Sequence, residues 1–490
     1  MAKATNYNLK LYPKKKVSNW ILMSKIGEGG NGMVWKCKNK AGEQFAIKFL
    51  KKTTIKAYKR FRDEITFLEQ YTGIVGIMPV VDKNLPQTIK GYDYKIPLYF
   101  VMPLAESAEN KLYVCSLSSK VSALEEIITM LCNLHANSIA HRDIKPENIL
   151  FYDGKYVLSD FGLVYYKKKE RVSSPRESIG AKWTIAPEMK RDAVLNADKY
   201  KADVYSIAKT IWIILSGQKQ GFEGQYIPIS SIGLNNFINN IYLTPLDRLL
   251  SVCTDHLPEN RPDIDIVLHS LKDWYALNND FERKNLTQWF EIQNILFPSI
   301  NPQRAIWESS NDILSILKTI CKFDNLNHLF FPSGGGLDLT DVAYSHEPDC
   351  LELNFGGLVT IVKPKKLLFE SFGDEPQWNY FRLELGELKA EMGDTKPDAY
   401  DEGVSELSPM KYFPYHIMED PDNFREKYPI TESSRQVTRQ LRGSYVIFCK
   451  RSIYNKSHGT YDGRHEKMDT DTFRKYIERQ IYLSHNKTNK

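Results

Sequence analysis

His141-Arg142-Asp143-Ile144-Lys145-Pro146-Glu147-Asn148, with Asp160-Phe161-Gly162 beginning twelve residues after Asn148, constrains this chain more than any other stretch. An Asp that can receive a hydroxyl proton, an Asn able to hold a metal and a second metal-binding Asp are the parts that phosphoryl transfer requires. Taken singly, each of these polar residues reads as an ordinary loop residue. In this order and at this spacing they read as one catalytic constellation.

Their order and spacing match the catalytic-loop and metal-loop signatures of protein kinases. Residues from about 20 to about 275 resemble the eukaryotic-type serine/threonine protein kinase family. The resemblance implies a two-lobed α+β fold, with a small β-rich lobe over about 20–102 and a helical lobe over about 106–275. It implies ATP and Mg²⁺ as cofactors and protein Ser or Thr hydroxyls as acceptors. It makes Asp143 the catalytic base, a role worth about 10²–10⁴-fold. Lys145 would neutralise charge on the migrating phosphoryl group, and a Lys two residues after this Asp resembles the Ser/Thr branch. Asn148 and Asp160 would hold Mg²⁺ against the phosphates. His141, Arg142, Phe161 and Gly162 carry over as the structural frame of the two loops.

Upstream, Gly27-Glu28-Gly29-Gly30-Asn31-Gly32-Met33-Val34 is a GxGxxGxV run. Glycines let backbone approach phosphates closely. A dinucleotide-binding turn shares this pattern but should open a helix. Here Met33 to Lys38 is rich in strand formers, so strand, glycine loop, strand is expected. Phe45-Ala46-Ile47-Lys48 reads as the next strand. A helix over Arg60 to Gln70 follows, with Phe61, Ile65 and Leu68 on one face and Glu64 among them. By resemblance, Lys48 pairs with Glu64 and holds the α- and β-phosphates; Asp63 and Glu69 are the alternative partners. Leu98 to Met102 is an apolar strand that resembles the one leading to the family's adenine edge. By that resemblance Met102 would limit the depth, Pro103 would offer its C=O and Ala105 its N–H. Gly27, Gly29, Gly32, Val34 and Ala46 complete the expected nucleotide pocket.

Val121 to His135 is an amphipathic helix delivering the chain to the catalytic loop. Ala186-Pro187-Glu188 closes the segment that Asp160-Phe161-Gly162 opens. The resemblance pairs Glu188 with a buried Arg261 and makes Asp203 the brace of the catalytic-loop backbone. Two residues depart from the family pattern and bear on substrate preference: Ala181 follows Gly180 where a Thr is usual, and Thr184 stands where Tyr is common. Between the two ends of the segment, Ser173, Ser174 and Ser178 are candidate phosphorylation sites, with Arg142 as the expected phosphate partner. A solvated basic loop without regulation is the plain alternative.

At 490 residues the chain exceeds one compact core, and 42% hydrophobic with 12% aromatic content marks a globular protein rather than a disordered one. The net charge of +6 is spread along the chain and gives no reason to expect nucleic acid. No apolar stretch has the length of a signal peptide or membrane span. Seven scattered cysteines without a CxxC pair make a disulfide framework or zinc cluster unexpected, and a reducing cytoplasm is the simplest compartment.

The resemblance covers little more than half the chain. Residues 1–19 are expected as an N-terminal extension, 276–332 as a helical linker region and 333–490 as an α+β accessory domain. Helices are predicted over Asn278 to Phe297, Ser310 to Phe331, Glu432 to Arg442 and Asp469 to Leu483. Strands are predicted over Leu351 to Phe355, Leu358 to Val362, Lys366 to Phe372, Tyr380 to Leu385 and Ser444 to Lys450, with a polar loop over Asp394 to Ser408. Pro348-Asp349 with Glu387-Leu388-Lys389 has the residue types of a metal nuclease, but its separation is loose. The expected activity is therefore Ser/Thr protein phosphorylation on protein substrates, with autophosphorylation of the activation loop and a regulatory or targeting tail. A nucleotide-binding scaffold of the same fold is the alternative. By analogy with bacterial kinases of this layout, the setting would be intracellular stress or anti-phage signalling.

Overall fold

A computed structural model describes residues 9–29, 32–89, 92, 96–166, 183–190, 197–331, 335–345, 347–388, 403–406, 412–414, 437–450 and 468–487. The chain divides into two compact units, Met1–Asn279 and Asp280–Lys490.

The first unit opens with an antiparallel sheet in the order β1-β2-β3-β4-β6-β5. Its strands are β1 (Lys16–Val17), β2 (Trp20–Glu28), β3 (Gly32–Lys38), β4 (Gln44–Leu50), β5 (Asp82–Asn84) and β6 (Tyr99–Pro103). Alternation along β3 and β4 buries Trp35, Cys37, Ile47 and Phe49 on one side. It leaves Val34 opposite Lys48, and Ala46 opposite Met102, in the ladder. The N-terminal stretch is not separate from this lobe. β1 pairs with β2, Val17 is buried, and Leu9 and Leu11 pack against the same cluster.

Helix α1 (Ile55–Gln70) lies against the sheet through Phe61, Ile65 and Leu68. It starts five residues before the expected Arg60, because Thr54 caps it by accepting from the Ala57 N–H at 3.2 Å. The helical lobe then contains a short pair β7 (Glu106–Ser107) and α2 (Ala108–Tyr113). It continues with α3 (Leu117–Ala136), the hairpin β8 (Ile149–Tyr152) and β9 (Lys155–Leu158), α4 (Lys199–Ser216), α5 (Thr244–Cys253) and α6 (Ile264–Asn279). Helix α4 is buried all round from Ala202 to Leu215, which makes it the axis of this lobe. Asp198 caps its start, and Gly217, at φ 70°, ends it. Since α6 runs on to Asn279, the domain edge expected near 275 falls inside a helix.

In the second unit, α7 (Phe281–Leu296), β10 (Arg304–Trp307) and α8 (Ser310–Ile320) occupy the region expected as a helical linker. They are part of the unit itself: Trp289, Ile292, Ile313, Leu317 and Ile320 share one core with Leu353, Phe369, Phe381 and Ile447. The strand β10, which periodicity did not reveal, pairs with β16 (Pro364–Glu370). The helix predicted to reach Phe331 stops at Ile320. The residues beyond it turn, and His328–Phe330 forms β11, hydrogen-bonded to β12 (Gly336–Asp338) and β21 (Ser444–Phe448). Together with β17 (Tyr380–Leu385) these make a six-stranded sheet, β10-β16-β17-β21-β11-β12. A second sheet runs β13-β14-β15-β20-β18-β19. It contains β13 (Asp341–Tyr344), β14 (Leu351–Asn354), β15 (Val359–Val362), β18 (Gly403–Glu406), β19 (Tyr412–Pro414) and β20 (Val437–Gln440). The strand β20 replaces the described part of the helix expected over Glu432 to Arg442, and β18 lies within the stretch expected as a polar loop. Both gain ladder partners from distant segments, so sheet pairing overrides local propensity. The remainder of those two stretches falls outside the described residues. The last helix, α9 (Thr470–Lys487), matches expectation.

Candidate active site

A cavity of about 1120 Å³ opens inside the first unit, between the sheet and the helical lobe. Its roof is Gly27, Gly29, Gly32, Val34 and Ala46, its edge Met102, Pro103 and Ala105, and its inner end Lys48, Glu64, Asp143, Lys145, Asn148 and Asp160. Every described residue expected to bind nucleotide or metal thus lines one space. Gly30 and Asn31, within the glycine run, lie outside the described residues. Gly32 has a steric reason to lack a side chain: a Cβ there would stand 3.1 Å from Lys48 Cε and 3.4 Å from the Phe49 carbonyl oxygen.

Lys48, on β4, reaches Glu64 Oε1 on α1 at 2.6 Å and Asp160 Oδ1 at 3.1 Å. The partner is Glu64 rather than the alternatives: Glu69 pairs with Lys83, and Asp63 lies beside Arg62. Burial pulls the Lys48 ammonium down, but the carboxylates of Asp160 and Glu64 outweigh it and hold it above its ordinary value. In return, Lys48 keeps the Asp160 carboxyl below its ordinary value.

The catalytic loop is held by three separate braces. Buried Asp203, on α4, accepts the His141 N–H at 2.7 Å and the Arg142 N–H at 2.8 Å. This fixes the backbone where Arg142 adopts the left-handed φ of 69°. The His141 ring joins the catalytic loop to the strand preceding Asp160, through Nε2 to the Ser159 carbonyl at 3.1 Å and the Asp143 N–H to Nδ1 at 3.3 Å. Burial pushes His141 down, and a neutral ring with its proton on Nε2 satisfies both bonds. Phe161 stacks on Phe67 of α1 at 4.7 Å between ring centroids, and its other neighbour is His141, also at 4.7 Å.

Asp143 Oδ2 accepts from Lys145 Nζ and from Asn148 Nδ2, both at 3.0 Å. Asn148 Nδ2 also reaches the Asp143 carbonyl at 2.7 Å. With its amide nitrogen engaged, Asn148 has its oxygen left to face a cation. Asp160 contributes a second oxygen, and its side chain is 48% exposed at the cavity. Two hard oxygen donors and room for phosphates suit Mg²⁺, which takes only one or two protein ligands at such sites. Among the described residues no cluster of three or more His, Cys, Asp or Glu could hold a metal by itself, including around Asp349 and Glu387.

Further out, Arg261 makes a two-pronged pair with Glu188 at 2.6 and 2.9 Å, as expected for a structural tie. Among the described residues, buried Arg142 Nε has no hydrogen-bond partner, and burial pushes the guanidinium down, with Arg60 adding to the effect. Ser173, Ser174, Ser178, Gly180 and Ala181 lie outside the described residues. Sequence reasoning passed over Leu150 and Leu158, which also line the cavity. Leu150 lies on β8 and Leu158 ends β9, whereas Asn148 and Asp160 lie in the turns beside those strands, so strand alternation gave no signal for them.

Among known families, the protein kinase domain matches residues 20–325 of this chain. A CDPK-related protein kinase of Daucus carota is 28% identical over 226 residues, covering 42% of this chain and 35% of its own length. A calcium-dependent protein kinase 3 of Plasmodium berghei is 28% identical over 202 residues, 39% of this chain and 34% of that protein. A 3-phosphoinositide-dependent protein kinase 1 of Caenorhabditis elegans is 30% identical over 164 residues, 31% and 24% of the two chains. The matches thus span about a third of these relatives or less. Among the described residues no helix is long and apolar enough to cross a membrane.

Proposed function

Because the chain belongs to the protein kinase family, we propose that it transfers the γ-phosphate of ATP to Ser or Thr hydroxyls of protein substrates. The observation that carries this reading is that Lys48, Glu64 and Asp160 form one ion-paired cluster in the same cavity as the Asp143–Lys145–Asn148 triad. Adenine would lie along Met102 to Ala105, and Lys48 would align the phosphates. Asn148 and Asp160 would hold Mg²⁺, which supplies charge neutralisation on the phosphates. Asp143 has its Oδ2 engaged, so Oδ1 is left to orient the acceptor hydroxyl and take its proton. Lys145 stands beside it to offset charge on the migrating group. Incorporation of radiolabelled phosphate into the chain itself or a generic basic protein, with Asp143→Ala as control, tests this. Equal, negligible incorporation with nucleotide still bound would make the chain a nucleotide-binding scaffold instead.

Two finer readings belong with this one. Ser173, Ser174 or Ser178 would be autophosphorylated, with the phosphate received by Arg142, whose buried Nε has no partner among the described residues. Phosphopeptide mapping tests it, and full activity of the triple Ala variant would remove it. Residues 280–490 would set target or activation in the cytoplasm, in a stress or anti-phage response. The seven free cysteines suit that reducing compartment. A chain ending at Asn279 should bind ATP normally and differ from the whole chain in basal rate or substrate choice; identity in both would remove the regulatory reading.

A further inference from the structure

Lys209 is a lysine in the wrong surroundings for a surface cation. It sits in the middle of α4, is 1% exposed, and forms no ion pair among the described residues. Its Nζ donates instead to two backbone carbonyls of one turn, Phe222 at 2.8 Å and Gly224 at 2.5 Å, and lies 3.4 Å from the centroid of the Phe222 ring. The Gly224 carbonyl also accepts from Tyr205 Oη at 3.0 Å, and Gly224 needs its left-handed φ of 72° to present it. One turn of α4 therefore clamps residues 222–224 from two positions, i and i+4.

What that turn touches gives the clamp a use. A Cβ on Gly221 would come within 3.2 Å of both Trp183 Cβ and the Trp183 carbonyl oxygen, so the turn lies directly on Trp183. From the other side, Ser206 Oγ, again on α4, donates to the Thr184 carbonyl at 2.8 Å. Trp183 and Thr184 are thus held between α4 and the clamped turn. They belong to the end of the Asp160–Glu188 segment, where this chain departs from the family's pattern in residues bearing on substrate.

We infer that Lys209 is a positioning residue for the protein substrate: protonated, it straps the 222–224 turn to α4 and so fixes the Trp183–Thr184 segment against which the substrate docks. The substrate part of this inference rests on the proposed kinase activity; the strap does not.

The surroundings make the strap sensitive to pH. The groups facing Lys209 are Tyr205 on α4, Glu223 on the turn and Lys190 after the Ala186-Pro187-Glu188 stretch. Burial, with Lys190 adding to it and Glu223 opposing, pushes the ammonium down to about 7. Below that value the amine is charged and its two bonds are charge-assisted; above it they weaken. The strap is compared with a folded chain whose turn is displaced while the amine stays buried without acceptors, so protonation favours the strap; global unfolding instead hydrates the amine, and for stability the sign is opposite. Between about 7 and the ordinary lysine value of 10.5 the unfolded chain carries a proton that the folded chain has lost. Stability of wild type relative to Lys209→Met should therefore rise with pH across that window.

Hydrogen exchange of the full chain tests the strap without any need for activity. At pH 6, amides of 183–186 and 221–226 should exchange faster in Lys209→Met than in wild type, and at pH 9 the two should converge after correction for intrinsic rates. Steady-state kinetics tests the substrate part. Raising pH from 6 to 8.5 should raise the wild-type KM for protein substrate by about tenfold, the scale of one charge-assisted hydrogen bond, and leave the KM for ATP alone. In Lys209→Met the KM for protein should be high and flat with pH; Lys209→Gln, which keeps a donor without the charge, should be flat and intermediate. If Lys209→Met fails to fold, Lys209→Gln and the wild-type pH series carry the same comparison. Equal exchange of wild type and variant at pH 6, or faster exchange spread along all of α4, overturns the strap. A wild-type protein KM that does not change with pH overturns the positioning role. Absence of any phosphate transfer by wild type fails the kinase reading, while the exchange result still decides the strap.

Discussion

Glu64 and Glu370 are both glutamates withdrawn from water, 4% and 0% exposed, and each is held by cations. Glu370, on β16, accepts from Arg304 Nε at 2.7 Å on one oxygen and from Arg474 of α9 on the other. Four positions along the same strand pair, Glu384 is met by Arg382 at 3.1 Å, Lys366 at 3.2 Å and the Thr470 hydroxyl at 2.9 Å. Arg382 itself donates to the Met468 carbonyl at 2.6 Å and lies 4.7 Å from the Phe473 ring. Both oxygens of both glutamates are taken, and the result is a helix docked on a sheet, with Phe473 and Ile477 sealing it. In the first unit the same residue types leave something over. Among the described residues, no hydrogen bond claims Asp160 Oδ2 or Asp143 Oδ1, and both residues line a cavity. A carboxylate with an unclaimed oxygen facing space can bind a metal or take a proton; one with none holds structure.

The largest effect expected from this contrast is on rate. Asp143→Ala should lower phosphate transfer by about 10²–10⁴-fold while thermal unfolding stays close to wild type. Radiolabel incorporation together with calorimetry checks it, and a variant that retains wild-type transfer would erase the distinction drawn here. Glu370→Ala should do the reverse. Arg304 keeps Asp471 and Arg474 keeps Glu478 as partners, so losing this carboxylate should cost about 1–3 kcal/mol in denaturant unfolding of the second unit, with ATP affinity unchanged. A loss of nucleotide binding with no loss of stability would contradict it.

A smaller effect separates two members of the cleft. Lys48→Ala and Asp160→Ala should both stop transfer, but Mg²⁺-dependent tightening of ATP binding should fall about tenfold or more only in Asp160→Ala, the scale of a contact to a charged group. Titrations with and without Mg²⁺ decide it, and unchanged metal dependence in Asp160→Ala would remove that residue from the metal site. The smallest effect concerns the helix that delivers Glu64. Thr54→Ala should cost about 1 kcal/mol of stability through loss of the cap on α1, without moving the KM for ATP in proportion. A large KM change would mean that the cap sets the Lys48–Glu64 geometry as well.

The sequence alone carried the cleft. Asp143, Lys145, Asn148 and the Asp160 triplet are close in the chain, so order and residue type sufficed to expect them in one space, and they line one cavity. Long-range ties such as Glu188–Arg261 and Asp203 to the catalytic loop were legible only through the family resemblance, since nothing in periodicity links residues so far apart. Helix α1 was found but begun late, because its start depends on one hydroxyl at Thr54 rather than on the apolar stripe. The second unit was legible in its contiguous strands, β14 to β17, where alternation is strong.

Tertiary structure decided the rest, for one physical reason: pairing and burial depend on partners that local sequence does not contain. Val437–Gln440 is a strand because β15 and β18 hydrogen-bond to it, although its surroundings suit a helix. The stretch from α7 to α8 is core rather than linker because a sheet covers its apolar face. In the sequence, Lys209 is a charge inside the apolar stretch Val204 to Leu215. Only the fold, by bringing the Phe222 and Gly224 carbonyls to its ammonium, turns it from an interruption into a clamp.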